Sequence, residues 1–137
     1  LVAADYVHCE IVGEDDVDPR VLFVNTYQKQ PVGTGCAWRW HREEETASGQ
    51  LHMVCDHSDH TGHLLGRCCS LAVLHYLNQH QYTSAILSTD DFRLPAIKTY
   101  LNLRFLPIER TMTIPSDGVP SAPDPVGKRL RMSMVKY

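Results

Sequence analysis

The densest group of chemistry-bearing side chains lies between residues 52 and 63, where His52, Cys55, Asp56, His57, Asp59, His60 and His63 fall within twelve positions. Imidazoles, a thiol and carboxylates so close together first raise the question of a metal. Zinc needs three or four such ligands converging tetrahedrally. The spacing argues against it. On a strand, His52 and Asp56 would share a face but stand ~13 Å apart, and His57, His60 and His63 converge only if their loop is helical. Solvated loop histidines are the plainer reading, and no metal is expected. Two other features adjoin this run. Thr61-Gly62-His63-Leu64-Leu65-Gly66-Arg67 is a glycine-containing turn leading into a helix-prone stretch, and Tyr100 stands in a second such stretch between Ala96 and Phe105. What any of these residues can do depends on the elements that hold them.

Those elements are readable from periodicity. Tyr6 to Val12 reads as a strand, followed by an acidic turn (Glu14, Asp15, Asp16, Asp18) that ends at Pro19. Val21-Leu22-Phe23-Val24 is β-branched and aromatic, Gln28 to Pro31 reads as a turn, and Val32 to Trp40 as a second strand weakened at Gly33 and Gly35. A polar loop from His41 to Gly49 leads to a strand over Leu51 to Asp56. From Gly62 the pattern is helical, with Leu64, Leu65, Cys68, Leu71, Ala72 and Tyr76 on overlapping i, i+3, i+4 rows. Tyr82 to Ser88 is a short apolar strand, which completes a βαβ unit. A second helix follows, cappable by Asp90 or Asp91 and tolerating Pro95 in its first turn. Its expected buried side is Ala96, Ile97, Tyr100, Leu101 and Leu103. Phe105 to Ile114 reads as a strand bent at Pro107, residues 115–127 as a Pro-rich loop, and residues 128–136 as a strand in which Leu130, Met132 and Met134 alternate with polar residues. The expected class is α/β (α+β), a mixed and mostly antiparallel sheet flanked by helices.

Bulk properties narrow the function. With 137 residues the chain holds one sizeable core, so residues 1–137 are expected to form a single domain. A net charge of −3 without a Lys/Arg run argues against nucleic acid as a partner. No stretch approaches the ~18 apolar residues of a membrane span, and residues 1–4 are too short for a signal peptide. Five cysteines, an odd count without CxxC spacing, fit a reducing cytoplasm.

The order of these pieces, HSDHTGHLLGR, a helix, YTSAILSTDD, then RLPAIKTYLNLRF, resembles the GNAT superfamily of acetyl-coenzyme A-dependent N-acetyltransferases over residues 20–110. In that family the turn after the central strand usually reads Q/R-x-x-G-x-G/A, and its backbone N–H groups face the diphosphate of coenzyme A at the positive end of a helix. Here Thr61 stands at the Gln/Arg place, Leu64 at the first glycine and Gly66 at the last, and His63 and Arg67 offer compensating positive charge. The family's second signature, N-x-x-A-x-x-L/F-Y-x-x-x-G-F, is matched at Ala96, Tyr100 and Phe105, with Arg93 at the Asn and Arg104 at the Gly.

The resemblance implies a fold, a cosubstrate and roles. Backbone groups of Val54, Cys55 and Asp56 would bind pantetheine and polarise the acetyl carbonyl. The main chain of Thr61, Gly62, His63, Leu64, Leu65, Gly66 and Arg67 would cradle the diphosphate. Tyr100 would protonate the departing thiolate, the alternative being a packed aromatic with its hydroxyl at the rim. Asp56, His52, Glu10 or a water chain could take the amine proton. The implied reaction is direct transfer of acetyl from acetyl-coenzyme A to a primary amine of a small molecule or peptide. The alterations at Thr61, Leu64, Arg93 and Arg104 support the alternative of a non-catalytic acyl-coenzyme A-binding or regulatory domain. Relatives usually carry a strand and two helices before the segment resembling Arg20 to Trp40, whereas nineteen residues stand there here. An open acceptor pocket, a second subunit or a longer parent chain are the expected explanations, and a homodimer or higher oligomer is predicted, because the short N-terminal segment leaves the sheet less covered and the C-terminal strand is placed to pair with or cross to a partner.

Overall fold

The computed structural model describes residues 6–14, 21–39, 48–108 and 129–135. Seven strands form one sheet in the order β1-β2-β3-β4-β5-β7-β6. These are β1 (Tyr6–Glu14), β2 (Val21–Tyr27), β3 (Gln30–Arg39), β4 (Ser48–Asp56), β5 (Ser84–Asp90), β6 (Leu106–Pro107) and β7 (Arg129–Val135), with helix α1 (Leu65–Gln79) between β4 and β5 and helix α2 (Leu94–Asn102) after β5. Every ladder is antiparallel except β4–β5. The mixed, mostly antiparallel sheet expected from the sequence is therefore present.

The β2–β3 hairpin closes on two residues, Gln28 and Lys29, both left-handed at φ 48° and 63°, which matches the twist of the flanking strands. Across β1 to β4 lies α1. Its approach depends on missing side chains: a Cβ at Gly35 would stand 2.9 Å from the Cys69 Cβ, and one at Gly49 would collide with the end of the Leu77 side chain. The core joins Val21, Phe23, Ala37 and Leu51 of the sheet to Val73, Leu74 and Leu77 of α1, and continues to Leu87, Phe105, Met132 and Met134.

Several expectations need correction. α1 begins at Leu65, and its buried face is Leu65, Cys69, Ser70, Val73, Leu74 and Leu77. Leu64 and Leu71, expected inside, are 53% and 44% exposed. The helix is apolar on more than one side, and contact with Gly35 selects the stripe whose side chains at Cys69 and Ser70 are small. Of the side of α2 expected to be buried, Tyr100 and Leu103 are buried, Ala96 and Ile97 are half-buried, and Leu101 is 47% exposed. Neither Asp90 nor Asp91 caps α2 through its side chain. The N-cap is Arg93, without a side-chain bond, and its N–H donates to the Asp90 carbonyl at 3.1 Å. β6 is two residues long, because ladder pairing with β7 holds only Leu106 and Pro107; residues 109–114 of the longer expected strand and the loop 115–127 lie outside the described residues.

The period-two reading of the last strand holds, with Met132 and Met134 at 0% and 7% exposure. β7 lies between β5 and β6 of its own chain; it is laddered to β5 from Arg129 to Val135 and to β6 only at Met132 and Ser133.

Candidate functional site

The parallel pair creates the opening. β4 and β5 are laddered only at Ser48–Ser84, Gly49–Ala85 and Gln50–Ile86, although β4 continues to Asp56. On the other side of β4, Thr34 pairs with Cys55 while Cys36, two positions on, pairs with His52, three positions back. One extra residue therefore sits in β4, and Met53 takes a left-handed φ of 52° there. Thr34 Oγ1 donates to the Met53 carbonyl at 2.9 Å and pins this bulge. A bulge bends its strand and increases local twist, so the second half of β4 leaves β5 and a wedge opens between them. Val54 and Cys55 lie on the wedge side of the bulge, past the last β4–β5 ladder pair.

At the mouth of the wedge is the turn into α1. A 3-10 turn, Ser58–His60, leads to Thr61, whose Oγ1 donates to the Ser58 carbonyl at 2.8 Å. Gly62 has φ 88° with open space where a Cβ would be. Leu64, the N-cap of α1, is left-handed at φ 60°, ψ 25° and has no capping side-chain bond. The first turn of α1 is tied down from two sides. Asp56 Oδ2 accepts the Gly66 N–H at 3.0 Å, and Asn25, fully buried, donates through Nδ2 to the Leu65 carbonyl at 3.0 Å and the Cys69 sulfur at 3.1 Å. Burial pushes the Asp56 carboxyl above its ordinary range, with the Gly66 N–H pulling it back down.

Tyr100 is set by the end of α2. The Phe105 N–H donates to the Tyr100 carbonyl at 3.0 Å and the Arg104 N–H to the Leu101 carbonyl at 2.9 Å, with Arg104 left-handed at φ 71°. This is a Schellman closure. Its usual apolar contact is the Tyr100 ring against Phe105, centroids 6.1 Å apart and edge-on. Tyr100 is 8% exposed. Burial raises its phenol pKa; the charge of Arg93 opposes the shift and that of Asp56 adds to it.

The other expected base candidates separate. His52 packs against Trp38 at 5.4 Å between centroids, and strand alternation places it on the face opposite Leu51. Glu10 belongs to β1, and two strands lie between it and β4. The histidines form an aromatic row rather than a ligand set: Tyr27–His60, His57–His60 and His60–His63 stand at 5.0, 5.7 and 6.3 Å. No group of three or more His, Cys, Asp or Glu among the described residues is arranged to hold a metal. A cleft of about 190 Å³ lies on the β3 side of β4, lined by Pro31, Val32, Gly33, Thr34, Cys55 and His57. Of the predicted site residues it contains Cys55, and neither the turn into α1 nor Tyr100 lines it. Asn25 and Thr34, which hold the two halves of the site in place, were not anticipated. An asparagine within the β-branched run Val21 to Thr26 was the available signal for the first.

No family model matches the chain, and no curated protein matches its sequence. Solved structures match its fold. A GNAT family acetyltransferase from Elizabethkingia anophelis, solved with acetyl-CoA bound, is 11% identical with a TM-score of 0.68, covering 97% of this chain and 99% of its own. An acetyltransferase of the GNAT family from Staphylococcus aureus is 14% identical at TM-score 0.66, over 88% of this chain and 70% of its own. The ribosomal-protein-alanine N-acetyltransferase from Brucella melitensis is also 14% identical at TM-score 0.66, over 85% and 68%. The chain has the GNAT fold. No helix among the described residues is long and apolar enough to cross a membrane.

Proposed function

We propose that this protein is an N-acetyltransferase that moves acetyl from acetyl-coenzyme A directly to a primary amine. The observation that carries the reading is the wedge: a parallel pair released after three ladder steps by a bulge at Met53, with a helix N-terminus at its mouth. The solved neighbours with acetyl-CoA support it by fold. In this reading pantetheine adds to the free edge of β4 at Val54 to Asp56, and main-chain donors from Thr61 to Arg67 take the diphosphate. The developing oxyanion meets fixed backbone donors of β4 rather than a mobile side chain. The amine attacks the thioester carbon, the C–S bond breaks as the tetrahedral intermediate collapses, and Tyr100 gives its proton to the thiolate sulfur; the proton shed by the amine nitrogen leaves through a water chain and restores the phenol. A phenol with its ordinary pKa near ~10 is protonated at neutral pH, and burial raises that of Tyr100 further. No cysteine acyl intermediate is required, and Cys55→Ser should retain turnover.

Substituting Gly66 tests the site. A Cβ there would already lie 3.3 Å from Asp56 Oδ2, so Gly66→Asp adds bulk and a second negative charge, and calorimetry should show weakened acetyl-coenzyme A binding. Unchanged affinity in the folded variant places the ligand elsewhere.

A second reading, a non-catalytic acyl-coenzyme A-binding or regulatory domain, is favoured by the exposed Leu64 side chain in the turn. Coenzyme binding without thiol release across a panel of primary amines and peptides decides for it.

A further inference from the structure

The carboxylate of Asp56 sits beneath the first turn of α1 because glycine stands on both sides of it. A Cβ at Gly33 would come within 3.3 Å of Oδ1, and a Cβ at Gly66 within 3.3 Å of Oδ2 and 3.6 Å of Oδ1. From there Oδ2 takes the Gly66 N–H at 3.0 Å. Gly66 is the last motif glycine of the turn, and its amide is among those the coenzyme reading assigns to the diphosphate. An anion on an N-terminal amide of a helix receives the same hydrogen bond and the same helix-dipole field that a phosphate oxygen would. Two anions cannot share that amide without repelling each other in a partly desolvated site.

We propose that Asp56 is a built-in competitor for the phosphate end of the cosubstrate. It completes the head of α1 when the site is empty and sets acetyl-coenzyme A affinity below what the backbone cradle alone would give. The proposal rests on the coenzyme reading and predicts a specific asymmetry. The Asp56 side chain should oppose the phosphates, whereas pantetheine and acetyl, assigned to the main chain of β4, should not respond to its charge.

The test compares wild type with Asp56→Asn, which keeps an oxygen acceptor for Gly66 and removes the charge, and with Asp56→Val, which removes both. Two probes are titrated calorimetrically: acetyl-coenzyme A and S-acetylpantetheine, which lacks every phosphate. Competition predicts that Asp56→Asn binds acetyl-coenzyme A about tenfold tighter or more, with acetylpantetheine affinity unchanged. Asp56→Val should share this asymmetry while losing thermal stability through the lost helix cap. If both probes shift together, the residue acts on structure and the proposal falls. Equal or weaker acetyl-coenzyme A binding in Asp56→Asn overturns it while leaving the coenzyme reading intact. Absence of binding by all three folded proteins at millimolar acetyl-coenzyme A overturns the coenzyme reading and the proposal with it. A ligand-free readout stands beside these: in wild type the Gly66 amide resonance should titrate with the Asp56 carboxyl, and in Asp56→Asn that titration should vanish. A Gly66 amide that does not respond in wild type removes the contact on which the proposal is built.

Discussion

The turn that enters α1 and the turn that leaves α2 pose the same problem and solve it differently. Each places a non-glycine residue in the left-handed region, Leu64 at φ 60° and Arg104 at φ 71°. Both stand where the resembled family has glycine. A left-handed L-residue costs roughly 1–2 kcal/mol, so each turn needs compensation. At α2 it is local: two backbone hydrogen bonds and the Tyr100–Phe105 contact lie within six residues of chain. At α1 it comes from afar, from Asp56 ten residues back and Asn25 forty residues back. A helix C-terminus can be closed by the chain that follows it. A helix N-terminus presents donors, and something anionic or polar must be brought to them. The fixed turn carries Tyr100 and the open one faces the space assigned to the diphosphate.

The largest expected effect tests whether the fixed turn positions chemistry. Tyr100→Phe retains the ring against Phe105 and removes the hydroxyl, so thiol release should fall by roughly 10²–10⁴-fold with coenzyme affinity and melting temperature nearly unchanged. Turnover at the wild-type level would reduce Tyr100 to a packing residue. Next is the contact that closes the turn. Phe105 is fully buried, and Phe105→Ala should cost about 3–5 kcal/mol in denaturant unfolding. A loss below ~1 kcal/mol would mean that the Schellman closure stands without its apolar contact.

A pH experiment reads the same turn. The native pKa of Tyr100 is raised, chiefly by burial. The native state therefore holds that proton more tightly, and the associated stability is fully present below the unfolded tyrosine pKa near ~10. It is lost as pH rises from there through the native value. Wild type should show an alkaline decline that is smaller in Tyr100→Phe, and identical alkaline limbs would contradict a buried phenol.

The smallest effects sharpen the contrast between the turns. Leu64→Gly and Arg104→Gly each relieve a left-handed residue while adding the backbone entropy of glycine, so each should gain about 0.5–1 kcal/mol in chemical denaturation. Only Leu64→Gly should also tighten acetyl-coenzyme A binding, since of the two only Leu64 belongs to the turn proposed to hold the diphosphate. Equal coenzyme responses in the two variants would erase the distinction.

Much of this was written locally. Strand and helix order followed from periodicity, and the alternation at Leu130, Met132 and Met134 correctly turned the methionines inward. The spacing of Ala96, Tyr100 and Phe105 also carried the Schellman turn, since every bond in it joins near neighbours in sequence. Leu64 and Arg104 are instructive exceptions. As residue types they argued against tight turns, yet the backbone there is left-handed, because the packing of α1 and α2 outweighs about a kilocalorie of local preference.

Tertiary structure alone decided the rest, and for one physical reason: those features depend on what a segment pairs with. The bulge at Met53 exists in the register between β3 and β4, where Thr34 faces Cys55 and Cys36 faces His52. The wedge exists in the length of the β4–β5 ladder. Insertion of β7 between β5 and β6 follows from pairing across a long separation in sequence. The stripe of α1 that turns inward is apolar at Leu65, Val73, Leu74 and Leu77, and the glycines of β3 and β4 let it approach the sheet closely. The sequence determined which elements form and where Tyr100 stands on its helix. Long-range pairing determined that the β4–β5 ladder ends after three pairs, and that Asp56 meets the head of α1.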